Sequence, residues 1–173
     1  MSSLRQFSSV TKHTKVAIVG GGCGGTSVSA QLINSRVFEA SDITVFDPTG
    51  YHHYQPGYTN IAGGVWGGSN SQRRKTEAKY IMKAREDVLM PGVQWVKEGV
   101  STFDPENNQL NTTNDSAFTY DYLVVASGVD LRYDLIPGSM EALMDPDVPV
   151  GSSYRLDFAH KMSRLRENFT GGK

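Results

Sequence analysis

Residues Gly20 to Gly25 read Gly-Gly-Gly-Cys-Gly-Gly, and no other stretch limits the possible folds as much. The run starts where a short apolar segment, Lys15-Val-Ala-Ile-Val-Gly20, ends. It is followed by Thr26 to Phe38, in which Val28, Leu32, Ile33 and Val37 recur at helical spacing. A second apolar segment, Asp42-Ile-Thr-Val-Phe-Asp47, then closes on an acid. Short, continuous apolar runs suit strands buried on both faces of a parallel sheet, and the intervening period suits a helix. Together they predict a βαβ unit of about 33 residues, the size such a unit needs.

Gly20, Gly22 and Gly25 satisfy the pattern G-x-G-x-x-G. Alone that pattern is weak, since a glycine-rich turn with no ligand produces it too. Here strand, loop and helix are followed, 22 residues after Gly25, by Asp47 at the end of the next strand. In a dinucleotide site Gly20 permits the tight turn, Gly22 lets a pyrophosphate approach the backbone, and Gly25 lets the helix pack on the sheet. The helix supplies unpaired N–H groups and the positive end of its dipole, so no lysine or arginine is required there. Asp47 is expected to accept hydrogen bonds from adenosine ribose hydroxyls, and its charge argues against a 2′-phosphate. Cys23 sits at the mouth of the helix, where a thiol pKa can fall. A pyrophosphate would compete for the same field, so a small side chain tolerated beside the phosphates is the better reading. The glycines do not decide between flavin and nicotinamide.

The rest of the chain bounds the function. At 173 residues it has the length of about one domain. Hydrophobic residues make up 38%, enough for a core, and no run approaches the roughly 20 apolar residues of a membrane helix. Seventeen Lys and Arg against 18 Asp and Glu give a net charge of −1, which offers nothing to nucleic acid. A single cysteine excludes an internal disulfide framework and a thiolate zinc site. Residues 1–38 contain no acid, and the first fifteen carry Arg5, Lys12, Lys15, four serines and apolar Leu4, Phe7 and Val10. That is the make-up of a mitochondrial presequence, expected over residues 1–14, with an ordinary polar tail as the alternative.

After Asp47, residues 48–72 read as an irregular connection. A basic helix is expected over 73–89, with a solvated face rather than an anion-binding patch. A small antiparallel β-meander is expected at about 93–121, between turn clusters at Asp104-Pro105 and Asn114-Asp115. Tyr122 to Ala126 is another buried parallel strand, ending at Ser127-Gly128, and Leu156 to Phe169 is an amphipathic helix. His52 and His53 are adjacent in an extended segment and point to opposite sides, which favours ring packing over metal binding.

With these elements in this order, the chain resembles the first domain of the two-dinucleotide-binding flavoprotein reductases. The Ala126-Ser127-Gly128 strand end carries that resemblance alongside the glycine motif. Within the group, Asp47-Pro48, Tyr51-His-His-Tyr-Gln-Pro-Gly-Tyr-Thr59, Gly92 to Val100 and Tyr120 to Gly128 look like sulfide:quinone oxidoreductase in its mitochondrial form. The resemblance covers roughly residues 14–155.

It implies an incomplete Rossmann-like FAD-binding α/β domain, a parallel sheet with helices, carrying the β-meander, with residues 15–150 as the first FAD-binding segment and 151–173 as the start of a linker helix toward a second dinucleotide-binding domain. FAD contacts are implied at Gly20, Gly22, Cys23, Gly24, Gly25, Asp47, Gln55, Val100, Ala126 and Gly128. It further implies an enzyme that oxidises hydrogen sulfide through a cysteine persulfide and passes the electrons to ubiquinone, the sulfur going to an acceptor. The setting implied is the mitochondrial inner membrane, reached peripherally through carboxy-terminal parts. No cysteine follows Cys23, so the redox pair is expected beyond residue 173 and this chain alone is expected to be inactive. A type II NADH:quinone reductase, or a non-catalytic truncated FAD-binding product, are the alternatives.

Overall fold

The computed structural model describes residues 11–66 and 80–171, which fall into two compact units, Met1–His52 with Ala84–Gly128 and His53–Lys83 with Val129–Lys173. Residues 1–10 of the expected presequence, 1–14, lie outside the described residues, whereas Lys12 to Thr14 already belong to the first strand of the sheet. Among the described residues no helix is long and apolar enough to cross a membrane.

The first unit is built on a six-stranded sheet. Its strands are β1 (Lys12–Val19), β2 (Ile43–Phe46), β5 (Gln94–Val96), β6 (Val100–Asp104), β7 (Gln109–Thr112) and β8 (Ala117–Val125). Their order is β5-β2-β1-β8-β7-β6. The first four run parallel, with Ile18 level with Val45 on one side and Val124 on the other. β7 and β6 continue the sheet antiparallel. Helix α1 (Cys23–Asn34) is the crossover between β1 and β2.

Alternate residues of β1 go to opposite faces, as the pleat requires. Val16 and Ile18 join Ile43, Val45 and Leu89 under Val28, Leu32 and Ile33 of α1. Ala17 and Val19 join Phe46, Leu110, Phe118 and Tyr120 on the other face. Both faces are covered, and the strand therefore reads as one apolar run instead of alternating.

The second unit holds α2 (Gly57–Ala62), α3 (Ser139–Met144) and α4 (Leu156–Glu167). Tyr58, Ile61 and Ala62 pack with Ile81 and Ala159. The buried Lys161 ammonium donates to the carbonyls of Ala142, Leu143 and Asp145 at 2.7, 3.2 and 2.5 Å. It thereby satisfies carbonyls that the end of α3 leaves without intrahelical partners. The chain passes between the units within β3 (Tyr51–His53) and β4 (Met82–Ala84), which form a separate two-stranded sheet.

Several boundaries differ from expectation. β1 begins at Lys12, so Lys12 to Thr14 belong to the sheet. α1 stops at Asn34 because Arg36 takes a left-handed φ of 61°, and Val37 is left exposed. The helix expected over 73–89 does not extend through its described part. There the chain forms β4 and then one turn of 3-10 helix at Arg85–Asp87; residues 67–79 lie outside the described residues. Its apolar spacing has another origin, because Ile81 is buried in the second unit's core and Leu89 in the first's. The meander is β6, β7 and β8, while β5, also expected in it, pairs parallel with β2. β8 is a single strand whose first residues pair with β7 and which pairs with β1 from Phe118 to Val125.

Ile18 is fully buried at the centre of the parallel strands. Ile18→Ala is expected to cost about 2–5 kcal/mol, read as a lower urea midpoint.

Candidate dinucleotide site

Three strand ends meet at the glycine run. The Gly20 N–H donates to the Phe46 carbonyl at 2.8 Å, and the Ala126 N–H donates to the Val19 carbonyl at 2.7 Å. Gly20 has φ +99°, and a Cβ there would lie 2.3 Å from the Ala126 carbonyl oxygen. Both facts demand glycine. A Cβ on Gly25 would lie 1.9 Å from the Gly20 carbonyl oxygen, so α1 and the strand end approach as closely as backbone allows. Gly22 is different: none of the described residues stands within 4 Å of where its Cβ would be. The Thr26 hydroxyl closes the loop on the Gly21 carbonyl at 2.9 Å.

Gly22 is the N-cap of α1, with no side-chain cap and no acid in the first turn. The free N–H groups and positive dipole end therefore face exposed backbone at Gly22, Cys23 and Gly24. That arrangement suits an anion. Cys23 is an exposed free thiol there.

Asp47 is buried behind the loop. Its Oδ2 accepts the Gly21 N–H at 2.6 Å, and its Oδ1 accepts the Thr49 N–H at 2.8 Å and the Thr49 hydroxyl. An Arg85 Nη2 stands 3.3 Å from Oδ1. The Trp95 indole N–H holds the Asp47 carbonyl at 2.9 Å. Burial alone would raise the carboxyl's pKa. The hydrogen bonds from Thr49 and Gly21, with the Arg85 charge, outweigh burial and hold it below the ordinary carboxylate value. Asp47 is thus tied to the loop it was expected to accompany, and its charge is countered by a cation, which weakens the argument from its charge against a 2′-phosphate.

The structure brings Gly20, Gly22, Cys23, Gly24, Gly25, Asp47 and Ala126 together. A Cβ on Gly24 would touch the Ala126 methyl at 3.6 Å. Gly128 follows in an exposed stretch with φ +80° and open space around it. Val100, at the start of β6, packs against the cluster of Ala17, Val19 and Phe46. Gln55 is exposed and belongs to the second unit. His53 shares a hydrogen bond with the Tyr58 hydroxyl at 2.9 Å. Among the described residues no group of three or more His, Cys, Asp or Glu is placed to hold a metal.

Sequence reasoning missed Thr49 and Arg85. Thr49 carried a signal, since a residue two beyond Asp in a turn is where an Asx-type bond forms. Arg85 sat among six basic residues and nothing in the pattern set it apart.

Comparison with known proteins places this geometry. The family model described as pyridine nucleotide-disulphide oxidoreductase matches residues 14–165. A mitochondrial sulfide:quinone oxidoreductase of Dictyostelium discoideum is 36% identical over 141 residues, 82% of this chain and 29% of that protein. The sulfide:quinone oxidoreductase structure from Aquifex aeolicus superposes with TM-score 0.62 at 25% identity, over 91% of this chain and 32% of that one. An external alternative NAD(P)H-ubiquinone oxidoreductase of Solanum tuberosum is 26% identical over 76% of this chain and 22% of that protein. The chain thus spans under a third of each of these proteins.

Two outcomes follow from the loop geometry. Gly25→Ala forces the Gly20 carbonyl to move and is expected to lower stability by about 1–3 kcal/mol, measured by denaturant unfolding. Asp47 has a lower pKa folded than unfolded, so its contribution is complete above pH about 4 and is lost as pH falls below that. Asp47→Asn should therefore flatten the acid side of the stability profile below pH about 4; an unchanged slope would contradict the assignment.

Proposed function

The chain belongs to the pyridine nucleotide-disulphide oxidoreductase family, and we propose that it is the FAD-binding amino-terminal part of a mitochondrial enzyme that oxidises hydrogen sulfide and passes the electrons to ubiquinone. The observation that carries the dinucleotide reading is the open space at Gly22, at the uncapped start of α1, between two glycine positions packed against backbone. The likeness to named sulfide:quinone oxidoreductases of Dictyostelium and Aquifex supports the substrate pair.

FAD, when bound, supplies the two-electron acceptor. In this proposal the N–H groups at Cys23, Gly24 and Gly25 hold its pyrophosphate, which needs no side-chain cation on that side. Asp47 Oδ2, with one acceptor site spent on the Gly21 N–H, has a second for a ribose hydroxyl. Val100 lies by the adenine, Gln55 near the cofactor, and the Ala126 to Gly128 turn beside the flavin. Sulfide capture requires a cysteine pair that forms a persulfide, because the sulfane sulfur must be held until an acceptor removes it. Cys23 is not a member of that pair in this reading, which lies beyond Lys173. The 173-residue chain alone then holds FAD weakly at most and catalyses nothing. The residues ahead of β1 act as the import signal, and attachment to the inner membrane is peripheral, through later parts.

The second reading is an NADH:quinone reductase, favoured by the likeness to the Solanum protein. Quinone reduction by the full-length protein separates the two. Sulfide is expected to drive it and NADH is not; the reverse would establish the second reading. Asp47→Ala in the same protein should lower flavin occupancy, read from absorbance after gel filtration, and unchanged occupancy would remove Asp47 from the site.

A further inference from the structure

The Arg85 side chain is 2% exposed. Its Nη2 is engaged by the Thr49 hydroxyl at 2.9 Å, the Tyr51 carbonyl at 3.0 Å and Asp47 Oδ1 at 3.3 Å. Its Nε and Nη1 are buried and have no hydrogen-bond partner among the described residues. A buried donor without an acceptor forfeits its hydration, and on a cation the loss is larger. Native structures leave few such groups, and each calls for a reason.

Both donors lie against one residue. A Cβ on Gly21 would stand 2.9 Å from Nη1 and 3.1 Å from Nε. Gly21 directly precedes the uncapped N-terminus of α1, a helix of 12 residues. An open helix start and an unspent buried cation, one made of backbone and the other of a side chain, therefore meet at the same peptide. The glycine at position 21, which the G-x-G-x-x-G pattern leaves free, also gains a physical reason: any larger residue would collide with the guanidinium.

We infer that Arg85 is an anion-binding residue of the dinucleotide site, its Nε and Nη1 taking a pyrophosphate oxygen at Gly21 while Nη2 keeps Thr49 and Asp47 in position. The inference rests on the FAD reading above and adds to it a cation that the glycine motif does not demand. Both donors are covered, so taking the phosphate oxygen requires the guanidinium to turn about the held Nη2.

The test uses the full-length protein, flavin-free and ¹⁵N-labelled, with ADP as the pyrophosphate probe and adenosine as control. The Arg85 Nε resonance, identified by its loss in Arg85→Lys, is expected to move on adding ADP and to stay in place with adenosine. Arg85→Leu should weaken ADP binding about tenfold or more and leave adenosine binding unchanged, with Arg85→Lys recovering part of the loss. An Nε resonance unmoved at ADP saturation, or parental ADP affinity in Arg85→Leu, overturns the inference. Should Arg85→Leu fail to fold, the resonance in the parent chain decides. A parent that binds neither ADP nor FAD overturns the FAD reading itself, whereas FAD bound beside an unmoved Arg85 overturns only the role of this residue.

Discussion

The structure depends on turning β1 into α1 within three residues while two other strand ends press on the turn. The Phe46 carbonyl takes the Gly20 N–H on one side, and the Ala126 carbonyl stands where a Gly20 side chain would be on the other. Neither neighbour has room to move, because β1 is buried on both faces between β2 and β8. The turn is consequently made of backbone alone, and the first peptides of α1 are left facing outward without a cap. A packing constraint inside the sheet thus leaves, at the carboxyl end of β1, a surface that suits an anion.

The second layer is electrostatic. Asp47 pins the Gly21 amide from behind, and Arg85 balances the charge that this buries. A buried carboxylate is tolerable only when paired and hydrogen-bonded, and here Thr49, Gly21 and Arg85 do both. This gives Asp47 a role in shaping the loop in addition to the ribose contact proposed for it. The loop therefore arrives already shaped, which reduces the ordering a ligand has to impose.

Much of this was legible in the sequence. The βαβ unit, the glycine spacing and the acid at Asp47 are local patterns, and local patterns are what periodicity and turn chemistry report. What escaped were features set by distant partners. Whether Gln94 to Val96 pairs with β2 or with a meander depends on residues some 50 positions away. Ile81 and Leu89 mimicked a helical stripe because each is buried in a different unit. Arg85 looked like one of many surface cations until the fold set it against Gly21.

The central claim is that a dinucleotide's pyrophosphate occupies the space in front of Gly22. Substituting Gly22→Asp tests it directly, because aspartate is a better N-cap than glycine and favours the helix dipole, yet sets a negative side chain where the phosphates would lie. Equilibrium dialysis of FAD against the full-length parent protein and its variant, with thermal melting of both in flavin-free form, is the measurement. The account predicts a variant as stable as the parent or more so, with FAD binding lost. Equal FAD affinity in the two chains would contradict it.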